Sequence, residues 1–198
     1  MVDILSILDY NKYSIKNVSY ESNKIIYQEK DQCNQVGIVR EGKIELIHYS
    51  YEGRLIQLGQ LEKGDIFGDF LIYSSHPYFP GILKSKTKSV IAFIPKKELT
   101  RMLQLDDDFR NYYLRQLSEK AFKLNIHNKI LSLSSLREKI VLYLENNIST
   151  LEKNRVYVSS KTKLSEYFNV QRPSLSRELK RMKNEKIIDY NRHYIWFL

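Results

Sequence analysis

All seven glycines of this 198-residue chain fall between positions 37 and 81: Gly37, Gly42, Gly53, Gly59, Gly64, Gly68 and Gly81. Glycine is what tight β-turns need when φ must be positive. The clustering therefore predicts a turn-dense antiparallel region, followed by a region that turns far less often. Between the glycines the apolar period is two. Short β-rich runs recur at Lys24–Tyr27, Val36–Val39, Ile44–Tyr49, Leu55–Leu58, Ile82–Lys84 and Val90–Ile94. Turn signals separate them at Glu41-Gly42-Lys43, Glu52-Gly53-Arg54, Lys63-Gly64-Asp65 and Gly68-Asp69. Many short strands at regular spacing suggest a jelly-roll-like antiparallel barrel. Ahead of it, residues 3–18 read as one or two short helices.

After Pro95 the period becomes helical. Lys96–Leu103 reads as a short helix and Asp107–Leu131 as a long one. Its acidic start, Asp106-Asp107-Asp108, suits the positive end of a helix dipole. Leu114, Leu117, Ala121, Leu124, Asn128 and Leu131 recur in steps of three and four, an a/d seam with Asn128 at an a position. The seam could pack on its own barrel. Its length, with no partner helix nearby in sequence, favours a parallel dimer instead. Leu131–Ser135 reads as a hinge, and Arg137–Asn147 as another amphipathic helix. The expected division is residues 1–106, 107–132 and 133–198, an α+β architecture.

The last division carries the chemistry. Lys161–Phe168 reads as a helix with Ser160 as N-cap. Asn169-Val170-Gln171 is a turn. A second helix opens at Arg172-Pro173, where proline is tolerated because first-turn N–H groups are unpaired anyway. Leu175, Leu179 and Met182 follow at i, i+4 and i+7, a core-facing stripe. Gln171, Arg172, Ser174, Arg177, Lys180 and Arg181 fall mostly on the other side. Such a face can reach base edges from a major groove. Arg155–Val158, Ile187–Tyr190 and His193–Phe197 read as strands, the last two joined at Asn191-Arg192. Helix, strand, two helices and a hairpin is the order of a winged helix.

Charge agrees with that reading. The net charge is +9, and residues 133–198 hold 13 Lys and Arg against 7 Asp and Glu, a net of +6. The excess therefore lies in the last third, as expected of a surface that faces phosphates. The single cysteine, Cys33, excludes an internal disulfide framework and a multi-cysteine zinc or iron–sulfur site within one chain. MVDILSILDYNKY has no basic leader region and carries Asp3 and Asp9, unlike a secretory signal. No apolar run approaches the ~18 residues of a membrane span. A soluble, cytoplasmic protein with no membrane partner is expected.

Taken in order, these pieces resemble the Crp/Fnr superfamily of bacterial transcription regulators. VQRPSLSRELKRMKNEKII is similar to the family's recognition helix, and GDIFGDF to its effector-pocket strand and turn. The resemblance implies a β-roll sensor, a dimerisation helix and a C-terminal winged helix. It also implies a homodimer that binds near-palindromic double-stranded DNA, and contact with RNA polymerase if the protein activates.

The departures are as informative. Cyclic-AMP-binding members carry a Gly-Glu pair whose carboxylate bonds the ribose, then an Arg-Ser or Arg-Thr pair that holds the cyclic phosphate. Here Gly68 is followed by Asp69, and the arginine position falls at Phe79-Pro80. Neither residue can offer a bidentate fork to a phosphate. Lys84 is the nearest cation, and the resemblance adds Leu124 to the pocket's edge. Cyclic AMP in the usual mode is therefore not expected, and the effector is left open, with no cofactor assigned. In the recognition helix, Arg172 and Arg177 match the family's two arginines, while Pro173 replaces its glutamate. Lys161, Lys180, Arg181 and Arg192 are expected on phosphates.

Two other classes compete. A cupin-type enzyme would need clustered metal ligands, commonly two histidines one residue apart on a strand. His48, His76, His127 and His193 are scattered, and no nucleophile–base or paired-carboxylate arrangement is visible. A cyclic-nucleotide-binding module acting on another protein would leave the basic face of the second helix without a use.

Overall fold

The structure, a computed structural model, describes residues 13–148 and 154–198. The described residues divide into two compact units, with the boundary between Ser118 and Glu119.

The first unit is two four-stranded antiparallel sheets. One takes the order β1-β8-β3-β6, built from Lys16–Tyr20 (β1), Ser89–Pro95 (β8), Gln35–Glu41 (β3) and Ile66–Phe67 (β6). The other takes the order β2-β7-β4-β5, built from Ile25–Tyr27 (β2), Ile82–Ser85 (β7), Ile44–Tyr49 (β4) and Leu55–Leu61 (β5). Val36, Ile38, Ile44, Leu83, Ile91 and Phe93 are buried between them. This is the expected β-roll, with one correction. The expected helical stretch 3–18 ends in a strand: Lys16–Tyr20 pairs with β8 in the register Lys16↔Phe93 to Tyr20↔Ser89. The first part of that stretch lies outside the described residues. β1 is only five residues long, and its inward residues Val18 and Tyr20 are no more than half-buried against the core, so its alternation is short.

Gly37 has a steric reason. A Cβ there would stand 2.0 Å from Cζ of Phe67, so the absent side chain is what admits the ring to the core. Two helices complete the unit's chain. Lys96–Leu105 (α1) buries Leu99 and Met102. Asp107–Ser132 (α2) begins under a cap from Asp106, whose Oδ1 accepts from the Phe109 N–H at 2.9 Å. Phe109 and Tyr113 on its first turns are buried in the β-roll core.

The second unit holds the rest of α2, then Leu136–Asn147 (α3), Val156–Tyr157 (β9), Lys161–Tyr167 (α4), Arg172–Asn184 (α5), Ile188–Tyr190 (β10) and Tyr194–Phe197 (β11). Its sheet is ordered β10-β11-β9. Ile130, Ile140, Leu144, Phe168, Leu175, Leu179 and Met182 are all at 1% exposure or less. Leu133 to Ser135 interrupt the helices where the hinge is expected. No helix among the described residues is long and apolar enough to cross a membrane.

Candidate nucleic-acid interface

α4 and α5 are held at a fixed angle by local chemistry. Ser160 caps α4, its Oγ accepting from the Lys163 N–H at 3.1 Å. The connecting turn reverses the chain through Asn169 at φ 53°. Asparagine is one of the few non-glycine residues that visits this left-handed region readily. The Val170 N–H donates to the Ser165 carbonyl at 3.0 Å, which closes the turn. Pro173 sits in the first turn of α5 with no ladder bond to lose. Leu175, Leu179 and Met182 then bury against Phe168 and Ile140. The burial of that stripe forces the remaining faces outward.

The predicted readers are where that geometry sends them. Gln171, Arg172, Arg177, Lys180 and Arg181 are exposed, and Ser174 is half-buried. The Arg177 guanidinium donates to Ser174 Oγ at 3.4 Å, which steadies it beside the first turn. Arg181 is already engaged, donating through Nε to Glu185 at 3.1 Å. The Lys161 ammonium lies 4.5 Å from the centre of the Tyr190 ring. That contact joins the start of α4 to the β10–β11 hairpin. Arg192 is exposed at the hairpin's tip. Asn191 shapes the tip, its side-chain oxygen accepting from the N–H groups of His193 and Tyr194, both at 2.9 Å.

One positioning residue escaped the sequence reading. Arg137, at the start of α3, donates through Nε to Glu178 at 2.8 Å and through its two terminal nitrogens to Glu185 at 2.6 and 3.1 Å. It fastens the outer half of α5 by a three-bond fork. The fork holds the Glu185 carboxylate below its ordinary range, first by the Arg137 hydrogen bond and, after the opposing cost of burial, by Arg181. Glu178 and Glu185 are seven apart, but nothing local in the sequence names Arg137 as their partner, 41 and 48 residues away.

Of the effector-pocket candidates, Gly68, Asp69, Phe79 and Lys84 lie in the first unit and Leu124 in the second. Gly68 turns the chain at φ +77°, where an added Cβ would press on Cys33 Sγ at 3.0 Å. Asp69 is 3% exposed, and its backbone carbonyl accepts from the Tyr113 hydroxyl at 3.1 Å. Phe79 is also 3% exposed and stacks on Tyr27 with ring centres 4.2 Å apart. Tyr27 in turn meets Phe67 and Phe93 edge-on at 6.4 and 6.3 Å. Phe79 is thus a core residue of an aromatic cluster. Lys84 alternates along β7 with buried Leu83 and Ser85, so its ammonium points to the sheet's other face. Leu124 is 60% exposed and belongs to the second unit. There it borders a groove of about 680 Å³ with His127, Tyr143, Tyr157, Lys163 and Tyr167. His127 is occupied within the unit: its Nε2 is 2.9 Å from the Tyr167 carbonyl, and the two rings stack at 4.2 Å. His48 faces Glu29 at 3.2 Å.

Along the α2 seam, Leu114, Ala121, Leu124, Asn128 and Leu131 are exposed, and Leu117 is partly buried against the β-roll core. Phe122, beside them, is 59% exposed.

Comparison with known proteins agrees with this architecture. Residues 17–106 match the family model described as the cyclic nucleotide-binding domain. No curated protein matches the chain in sequence. Among solved structures, the chain is similar to CprK in complex with OCPA, at TM-score 0.70 and 15% identity, covering 98% of this chain and 88% of that one. It is also similar to a CooA variant from Carboxydothermus hydrogenoformans, at TM-score 0.67 and 16% identity, covering 99% and 91%. A CRP-family transcriptional regulator from Thermus thermophilus gives TM-score 0.54 and 19% identity, covering 91% of each chain. At these identities the likeness is one of fold. Residues 17–106 are thus a cyclic-nucleotide-binding-type domain, and the chain as a whole has the fold of the Crp/Fnr transcriptional regulators.

Proposed function

We infer that the protein is a sequence-specific, double-stranded-DNA-binding transcription regulator of the Crp/Fnr type, with no catalytic activity of its own. The observation that carries this reading is α5. Its inner stripe is buried, and its outer stripe is a row of exposed cations beside a capped turn and a hairpin wing. Arg172 and Arg177 read guanine through O6 and N7, each contact contributing about 1–3 kcal/mol of discrimination. Lys161, Lys180 and Arg192 contact phosphates and set register and affinity. Arg181 shares its guanidinium between Glu185 and the backbone of the duplex. The protein acts in the cytoplasm as a homodimer. The α2 seam, exposed at Leu114, Ala121, Leu124, Asn128 and Leu131, pairs with its copy, and near-palindromic half-sites follow from the two-fold axis. RNA polymerase is a partner if the protein activates.

The β-roll does not hold cyclic AMP in the usual mode. Phe79 occupies the arginine's position and is buried in an aromatic cluster, and Lys84 lies on the opposite face of its strand. A second reading, a cyclic-nucleotide module acting on another protein, has the match over residues 17–106 in its favour. Selection from a random duplex pool separates the two. The regulator reading expects a two-fold-symmetric site with guanine fixed at two positions per half-site. A pool that stays unenriched, together with tight binding of a cyclic nucleotide, contradicts it.

A further inference from the structure

Pro173 stands on the outward side of α5, one helical turn before Arg177. Buried Leu175, Leu179 and Met182 fix the inner side. Four-residue spacing then aligns Pro173, Arg177 and Arg181 on the outer side with Lys180 beside them, and all four are exposed. The proline ring offers only CH₂ groups, with neither donor nor acceptor. It cannot accept a hydrogen bond from cytosine N4, as a carboxylate at that position would. Among base-pair edges in the major groove, the one apolar group is the C5-methyl of thymine. The Arg177 guanidinium is steadied by Ser174, the residue next to Pro173. A guanine held by Arg177 therefore brings its neighbouring pair under the proline ring.

We propose that Pro173 is a specificity-determining residue whose ring packs on the C5-methyl of a pyrimidine next to the guanine read by Arg177. The half-site then carries thymine at that place, and 5-methylcytosine substitutes for it. This rests on the reading of α5 as the base reader. Burial of one methyl corresponds to about a fourfold gain in affinity per half-site.

The test uses the full-length wild-type chain and four duplexes that differ only at that pyrimidine: thymine, deoxyuridine, cytosine and 5-methylcytosine. Arg177→Ala locates the neighbouring guanine, as the pair whose preference it relaxes. Anisotropy titrations should show deoxyuridine weaker than thymine by about fourfold per half-site, and 5-methylcytosine stronger than cytosine by a similar factor. Because the change is in the DNA, this comparison does not depend on a variant folding. Pro173→Glu should reverse the preference toward cytosine and remove the methyl effect. Equal binding of thymine and deoxyuridine, with Arg177→Ala still relaxing its own pair, overturns the role of Pro173 and leaves α5 as the reader. If Arg177→Ala changes nothing either, both readings fail.

Discussion

Arg177 and Lys180 are three residues apart on the same exposed face of α5, yet their termini separate what each can do. A guanidinium is a planar fork that matches guanine's two acceptors, whereas an ammonium is a point charge indifferent to sequence. Arg177→Ala should therefore relax specificity at one base pair per half-site, costing about 1–3 kcal/mol on the best site and little on random DNA. Lys180→Ala should weaken all duplexes alike and lower the log–log salt slope by about one unit. Anisotropy titrations on selected and random duplexes at several salt concentrations distinguish these outcomes. In the β-roll, Phe79 is buried and stacks on Tyr27 in an aromatic cluster. Phe79→Ala should destabilise the first unit by about 3–5 kcal/mol, as removal of a buried phenyl ring does, which denaturant titration would register. Calorimetry with micromolar cyclic AMP should give no binding heat. A micromolar affinity abolished by Asp69→Ala would contradict the filled-pocket account.

At the scale of elements, α2 and α3 carry the testable consequences. Leu124 is exposed at the centre of a heptad seam. Leu124→Lys would place an unpaired charge there and should weaken dimerisation about a hundredfold or more. Sedimentation at micromolar concentration reads this directly, and a monomeric wild type would contradict the seam's assignment. The Arg137 fork makes a pH-dependent prediction. Glu185 is held below its ordinary value of 4.5 in the folded chain, so its contribution to stability is complete above that pH and is lost on acidification through the lowered value. The stability advantage of wild type over Arg137→Met should be constant near neutrality and shrink as pH falls below 4.5. Trp196, the only tryptophan, lies in the second unit with Arg155 over its ring at 4.7 Å. Its fluorescence therefore follows the unit that contains the fork. Most elements were legible in the sequence because their periods are strong: Leu175, Leu179 and Met182 for α5, and the glycine turns for the β-roll. β1 was not, because only Val18 and Tyr20 mark its inward side, too short an alternation to stand out. The fork was not, because its partners are 41 and 48 residues apart and only the folded chain brings them together.

For the whole molecule, charge and topology point the same way. The basic excess lies in the last third of the sequence, where α4, α5 and the hairpin form the exposed cationic face. Within the β-roll, Tyr27, Phe67, Phe79 and Phe93 pack as one aromatic cluster. Candidate residues on α5 were readable from sequence because a buried stripe determines its opposite. Lys84 reads as the nearest cation to the expected pocket, and Leu124 enters through the resemblance; strand alternation then places Lys84 between buried Leu83 and Ser85 on β7. The central claim is that α5 reads sequence. It is tested most directly by selecting duplexes from one random pool with the wild type, Arg172→Ala and Arg177→Ala in parallel. The account predicts a symmetric wild-type site with two fixed guanines per half-site, each arginine variant losing the preference at a different one. Identical selected sequences from all three proteins would contradict it.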